Sequence, residues 1–142
     1  MIQNAAVLGA GSWGTALAIA LADRELDVVL YGNEQNVCDE INKSCSNERY
    51  LPGVELPQNI KGSVDISEAA SREFILLVVP SQVARLVLKE LADAGPSPET
   101  IIVSCTKGLD PETGELMHEL IAEFFPKNPV AVLSGPSHAC LL

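Results

Sequence analysis

Short apolar runs alternate with amphipathic segments along the whole chain. Runs of consecutive apolar residues bounded by turn-forming residues predict buried strands at 5–8, 28–31, 74–79, 101–105 and 130–133, with a weaker one at 61–64. Apolar positions spaced three and four residues apart predict helices at 15–24 and 34–45, a single helical turn at 67–71, and two later helices. Alternation of strand and helix from start to finish predicts one α/β domain, a parallel sheet with helices on both faces.

Three of the predicted helices have distinct sequence features. The first is apolar on most sides, so we expect it to be deeply buried. Ser81 is the expected N-cap of the fourth helix, and Pro111 suits the first turn of the fifth. The apolar face predicted for the fourth helix comprises Val83, Leu86, Val87 and Leu91, and that for the fifth comprises Leu116, Leu120, Ile121 and Phe124.

Composition and charge narrow the class of protein. The 142 residues are 47% hydrophobic but only 4% aromatic, which predicts an aliphatic core rather than disorder. A net charge of −10 without a basic cluster argues against nucleic acid and against an anionic membrane surface. The first residues lack a basic segment and the apolar stretch at 16–22 is short, so neither a signal peptide nor a membrane span is expected.

The cysteines favour a reducing compartment. None of Cys38, Cys45, Cys105 and Cys140 forms a Cys-x-x-Cys pair, and the chain has two histidines, so no metal site is expected. Two helical turns would separate Cys38 from Cys45 by about 10 Å, too far for a disulfide. Reduced thiols are expected, as in a cytoplasmic protein.

The strongest motif is Gly9-x-Gly11-x-x-Gly14, which follows an apolar strand and opens a helix. In this context Gly9 permits a tight turn, Gly11 lets a pyrophosphate approach the backbone, and Gly14 lets the helix pack closely on the strand. The helix N-terminus then offers free N–H groups to the anion. The motif predicts a dinucleotide-binding, Rossmann-type doubly wound sheet, against the alternative of a helix start with incidental glycines. Ser12 and Trp13 lie where the loop would meet the cofactor, although Trp13 could simply be a surface aromatic.

The residues after the second strand bear on the choice between NAD and NADP. An acidic side chain at this point binds a ribose 2′-hydroxyl, whereas arginine accepts a 2′-phosphate. Glu34 follows Asn33 here, and no arginine or lysine lies between residues 31 and 42. The sequence therefore favours NAD. The alternative is that Glu34 is an acidic residue of the next helix's first turn, with Asn33 as the cap.

Three later loops should meet at the carboxyl ends of the strands, where open parallel sheets bind ligands. They are residues 79–82, 105–108 and 134–137, and Lys107 is their cation. Lys107 could hold a substrate phosphate or carbonyl oxygen near the nicotinamide. Ser137 could donate to the substrate or cap a helix, and its neighbour His138 does not form a hydrolase pair with it.

With these motifs in order, the chain resembles the amino-terminal half of bacterial-type NAD(P)-dependent glycerol-3-phosphate dehydrogenases. The resemblance extends over essentially all of residues 1–142 and rests on five segments: Val7–Ala18, Tyr50–Gly53, Val78–Ser81, Thr106–Leu109 and Leu133–Ser137. It implies reversible reduction of dihydroxyacetone phosphate to sn-glycerol 3-phosphate with NAD(P)H, for glycerophospholipid synthesis. The Thr-Lys-Gly and Ser-Gly-Pro-Ser segments disfavour a 6-phosphogluconate or ketopantoate type of reductase.

The resemblance also implies roles for individual residues. Ser12, Trp13 and Asn33 match cofactor-contacting positions, as do Glu34 and Tyr50 more weakly, and Ala139 matches another. Lys107 matches a lysine that touches both cofactor and substrate, while Gly135 and Ser137 match substrate-side positions. Two departures stand out: NADPH-using members usually have a basic residue near 33–34, and His138 replaces an aromatic such as Phe.

Members of this family are about twice as long, and their catalytic lysine lies in a helical C-terminal domain. No catalytic residue is therefore assigned within this sequence, and we expect cofactor binding with little turnover by this chain alone. A face that such a domain would cover, including Leu141 and Leu142, is expected to promote self-association, for example as a homodimer. The alternative is a stand-alone dinucleotide-binding or sensing module without catalysis.

Overall fold

A six-stranded parallel sheet forms the centre of the computed structural model, which describes residues 1–134. The strand order is β3-β2-β1-β4-β5-β6, the order of a doubly wound Rossmann sheet. The predicted fold class is thus confirmed. The strands are β1 Asn4–Leu8, β2 Asp27–Tyr31, β3 Ile60–Ser63, β4 Phe74–Leu77, β5 Ile101–Ser104 and β6 Val130–Val132.

Helices cover both faces of the sheet. They are α1 Ser12–Ala22, α2 Gln35–Ser44, α3 Ile66–Ala70, α4 Ser81–Ala94 and α5 Met117–Phe124. Side chains alternate along each strand, so β1 sends Val7 to a core shared with α1 and α2, and Leu8 to a core shared with α3, α4 and α5. Both cores are mainly aliphatic, as the composition predicts, and Phe125 is a buried aromatic of the second. No helix within residues 1–134 is long and apolar enough to cross a membrane.

The register of the central strands places their carboxyl ends side by side. Leu8 at the end of β1 pairs with Tyr31 of β2 on one side and Leu77 of β4 on the other. The chain leaves β1 toward α1 and later returns on the opposite side of β1, so the strand order reverses there. This reversal leaves a crevice between the loops after β1 and β4, the position at which such sheets bind ligands.

The first helix is less buried than predicted. It begins at Ser12, and only Gly14, Thr15, Ala18 and Ala22 are fully buried. Trp13 and Ala20 are exposed, and the remaining apolar residues of the helix are half-buried. The expectation of burial on most sides was wrong because the helix packs one narrow face, made of small residues, against the sheet.

Two later helices also differ from expectation. Helix α4 begins at Ser81 with Pro80 as its N-cap, so Ser81 makes no capping hydrogen bond. Helix α5 begins only at Met117, which leaves Pro111 outside it and Leu116 half-exposed as its N-cap. The helix cannot start at Pro111 because Asp110 closes a turn there. Its carboxylate accepts from the Thr113 backbone N–H at 3.2 Å, and Gly114 takes a φ of +73°.

Candidate cofactor-binding cleft

An open cleft of about 1800 Å³ lies at the carboxyl ends of β1, β2, β4 and β5. Its position is the crevice created by the reversal of strand order. It is large enough for a dinucleotide, since pockets for drug-sized ligands span about 300–1,000 Å³. The predicted cofactor residues that line it are Gly9, Gly11, Ser12, Trp13, Gly14, Asn33, Glu34, Tyr50 and Lys107.

Protein packing explains two of the three motif glycines. Gly9 has a φ of +124°, and a Cβ there would lie 2.8 Å from the Val78 carbonyl oxygen. A Cβ on Gly14 would lie 1.8 Å from the Gly9 carbonyl oxygen, so only glycine lets α1 start this close to β1. These are the roles that the motif predicts for the turn and for helix packing.

Gly11 is different, because nothing within the protein requires it to be glycine. Its φ of −77° suits any residue, and no atom lies within 4 Å of where its Cβ would be. The open space faces the cleft at the N-terminus of α1. Since this helix end presents unpaired N–H groups and partial positive charge, the space fits an anionic pyrophosphate.

A second loop, residues 45–53, is hydrogen-bonded to the segment that carries the three motif glycines, which we call the glycine loop (residues 9–14). The buried Asn47 side chain donates to the Ala10 carbonyl oxygen at 3.1 Å and to Thr15 Oγ1 at 2.9 Å. In return, the Ser12 hydroxyl donates to the Tyr50 carbonyl oxygen at 2.6 Å. The loop that presents Tyr50 is therefore held in a defined position relative to the helix N-terminus.

The end of β2 places Glu34 on the rim of the cleft. The N-cap position of α2 is Glu34, whose side chain makes no capping hydrogen bond, so the alternative with Asn33 as the cap and Glu34 in the first turn was wrong. Instead the Glu34 carboxylate accepts from the Tyr50 hydroxyl and pairs with Arg49 at 2.5 Å. The hydrogen bond to Glu34 raises the pKa of Tyr50 above its ordinary value.

The loops after β4 and β5 contact each other on both sides of Lys107, through a hydrogen bond and through close packing. The Thr106 hydroxyl donates to the Val79 carbonyl oxygen at 2.8 Å. Gly108, with a φ of +95°, is so close to Ser81 that a Cβ would lie 3.3 Å from the Ser81 hydroxyl. Lys107 is exposed between these contacts and lines the cleft. Neighbouring Cys105 is not a nucleophile at neutral pH, because burial raises its pKa to about 11.

Apolar side chains of α4 form one wall of the cleft. Val83 and Leu86 belong to the predicted core face of α4, yet they are 40% and 59% exposed. The core face is instead formed by Ala84, Val87, Leu88 and Leu91. Because Val83 and Leu86 line the cleft, their exposure provides an apolar surface for a planar ring.

Comparison with known proteins identifies the family. The family model described as "NAD-dependent glycerol-3-phosphate dehydrogenase N-terminus" matches residues 4–140. The chain belongs to this family. It is 46% identical to glycerol-3-phosphate dehydrogenase [NAD(P)+] of an Exiguobacterium species and 41% identical to that of Listeria monocytogenes, over 97% and 96% of its length. Glycerol-3-phosphate dehydrogenase from Coxiella burnetii has the same fold, with a TM-score of 0.87 and 37% identity over 97% of the chain.

The chain spans 41% of the length of these curated relatives and 42% of the Coxiella structure. Family membership favours the dehydrogenase interpretation over the sensing module and the other reductases. Gly135, Ser137, His138, Ala139 and the terminal leucines lie outside the described residues. Their predicted roles therefore stay predictions.

Sequence reasoning missed two residues of the site. Arg49 reaches Glu34 from 15 positions away, and Asn47 reaches Thr15 from 32 positions away. Both belong to a loop that the sequence identifies only by its turn residues. The signal available for Arg49 was its position beside Tyr50, which the family resemblance had already assigned to the cofactor.

Replacement of Asn47 by alanine should weaken the contact between loop 45–53 and the glycine loop. The change leaves the buried Ala10 carbonyl and Thr15 hydroxyl without their shared donor, which should cost about 2 kcal/mol in the free energy of unfolding. We expect NADH affinity to fall about threefold, a loss of less than 1 kcal/mol, because the glycine loop is less well ordered. Asn42→Ala is the matched control, since Asn42 makes two hydrogen bonds to Gly62 away from the cleft. Equal NADH affinity in both variants would contradict the proposed link.

Proposed function

We propose that this domain binds NAD(H) across the cleft and presents its nicotinamide to a phosphorylated three-carbon substrate. Gly11 is the observation that supports this proposal most directly. Neither its conformation nor its neighbours require glycine, and the space beside it opens onto the N-terminus of α1. A pyrophosphate bound in this space would explain why residue 11 is glycine.

The positions of the other residues orient the dinucleotide. With the pyrophosphate at Gly11, Glu34 lies where an adenosine ribose would be, and Leu86 offers an apolar wall beside it. The nicotinamide half would then extend over β1 toward Lys107, on the loop after β5. This orientation is that of dinucleotides on other doubly wound sheets.

The reaction we propose is the one named for the relatives, between dihydroxyacetone phosphate and sn-glycerol 3-phosphate. The reduced nicotinamide supplies a hydride to the carbonyl carbon, and a proton must reach the oxygen to give the alcohol. Lys107 would hold the substrate phosphate or the carbonyl oxygen near the cofactor, as its place at the cleft allows. The proton donor is not assigned to any residue of this chain.

We further propose that NAD binds more tightly than NADP. Glu34 is 28% exposed at the rim, and a carboxylate there can accept from a ribose 2′-hydroxyl but repels a 2′-phosphate. Each Glu34 oxygen already accepts one hydrogen bond and retains a second lone pair for the ribose.

A cytoplasmic location is supported by the free thiols of Cys38, Cys45 and Cys105.

Calorimetric titration with NADH and NADPH, followed by an assay with dihydroxyacetone phosphate, tests these proposals. We expect NADH to bind, NADPH to bind more weakly, and turnover by this chain alone to be low. Failure of both nucleotides to bind would overturn the function. Tighter binding of NADPH would overturn only the preference, and rapid turnover would overturn the expectation that other residues complete the chemistry.

A further inference from the structure

Arg49, Glu34 and Tyr50 form a small charged cluster at the ribose end of the cleft. Arg49 Nη1 lies 2.5 Å from Glu34 Oε2, and the Tyr50 hydroxyl donates to Glu34 Oε1. The guanidinium also lies 5.3 Å from the centre of the Tyr50 ring. The Arg49 side chain is 60% exposed, whereas that of Glu34 is 28% exposed.

The charge of Glu34 is therefore compensated. Glu34 alone would present a full negative charge to whatever group occupies the ribose 2′ position. The guanidinium of Arg49, which carries one positive charge, contacts Oε2 of Glu34 and offsets that negative charge. An ion pair this exposed contributes little stability, so little free energy is needed to separate Arg49 from Glu34.

We propose that Arg49 is the residue through which this cleft accepts a 2′-phosphate, so that one site admits both NAD and NADP. This inference rests on the proposed function of the cleft. With NAD, Arg49 remains on Glu34, whose free lone pairs accept from the ribose hydroxyl. With NADP, the guanidinium leaves Glu34 and pairs with the 2′-phosphate, a group that matches its planar array of donors.

The local contacts allow such a movement of the side chain. Tyr50 keeps its hydrogen bond to Glu34 when Arg49 leaves, so the carboxylate retains a protein donor. The Tyr50 ring lies 5.3 Å from the guanidinium in its present position on Glu34, and it would remain within reach of a cation–π contact as the guanidinium turns toward a phosphate. The Tyr50 backbone stays in place because its carbonyl accepts from Ser12.

Removal of Arg49 should change discrimination rather than binding as such. In Arg49→Gln the 2′-phosphate would meet an uncompensated Glu34. We expect NADPH affinity to fall about tenfold, since one lost charge contact near the surface has roughly this effect. NADH affinity should change less than about twofold, because NADH places no charge at this position. Glu34→Gln should act in the opposite direction, strengthening NADPH binding and weakening NADH binding.

The test is calorimetric titration of both nucleotides with the unmodified chain and with Arg49→Gln, Glu34→Gln and Lys43→Gln. Lys43→Gln removes the same charge from an exposed position of α2 and should leave the ratio of affinities unchanged. Higher salt should weaken NADPH binding less in Arg49→Gln than in the unmodified chain. Equal losses for both nucleotides, or no loss for NADPH, would overturn the assignment of Arg49. Failure of the unmodified chain to bind NADH would instead reject the function of the cleft.

Discussion

A Gly11→Val chain is expected to fold normally and to lose NADH binding. The φ of −77° and ψ of −171° at Gly11 are ordinary extended values that valine adopts readily. No protein atom lies within 4 Å of the new Cβ, so the free energy of unfolding should change by less than about 1 kcal/mol. The branched side chain would occupy the pyrophosphate space, and the dissociation constant should rise at least about 100-fold, or about 3 kcal/mol.

Gly14→Ala is the matched comparison, because it adds a smaller side chain three residues away. Its Cβ would lie 1.8 Å from the Gly9 carbonyl oxygen, a contact that only movement of α1 away from β1 can relieve. We expect this variant to be strongly destabilised or not to fold. Thermal melting and NADH titration of both variants measure the two effects separately. A Gly11→Val chain that binds NADH with unchanged affinity would show that the pyrophosphate does not lie beside Gly11.

The contrast between these glycines shows what local sequence can predict. The strands are continuous apolar runs because both faces of a parallel sheet are buried, so the strand positions follow directly from the pattern. The glycine spacing is equally local, since Gly9, Gly11 and Gly14 act within one turn and one helix start. For these elements the predicted and observed bounds differ by a few residues at most.

Errors arose where tertiary contacts override local preference. Pro111 favours a helix start, but the Asp110 side chain organises the next residues into a turn, so α5 begins at Met117. Leu86 has the spacing of a core residue, yet it faces the cleft, where a ligand rather than the protein would cover it. Apolar periodicity identifies a face that avoids water and does not say what covers that face.

The charged parts of the site depend on contacts between distant segments. Arg49 and Asn47 reach the cleft because loop 45–53 folds back onto the glycine loop, and no local pattern specifies that path. Glu34 considered by itself carries an uncompensated negative charge at the rim. In the structure Arg49 pairs with this carboxylate, so its charge is balanced.

Asp110→Ala is expected to lower the melting temperature by about 10 °C, because it breaks an ion pair whose carboxylate is buried and whose guanidinium is partly buried. Asp110 is only 2% exposed, and its carboxylate accepts from Arg85 Nη2 at 2.7 Å and from the Thr113 hydroxyl at 2.8 Å. It lies three residues after Lys107 and anchors that loop to α4. We therefore also expect NADH to bind about threefold more weakly, a loss of less than 1 kcal/mol. Glu112→Gln is the control, since Glu112 contacts the same arginine at 3.1 Å from an exposed position.

The same contact predicts how stability responds to acid. The hydrogen bond from Arg85 is the largest influence that lowers the pKa of Asp110, from an ordinary 3.8 to about 2. Because the carboxyl group binds protons more weakly when folded, its stabilising contribution is complete above the ordinary pKa and is lost as the pH falls through about 2. In Asp110→Asn this contribution is absent, so the difference in melting temperature from the unmodified chain should shrink as the pH falls below about 4. Melting curves between pH 7 and pH 2.5 would measure that difference. A difference that stays constant over this range would show that Asp110 is not held ionised by Arg85.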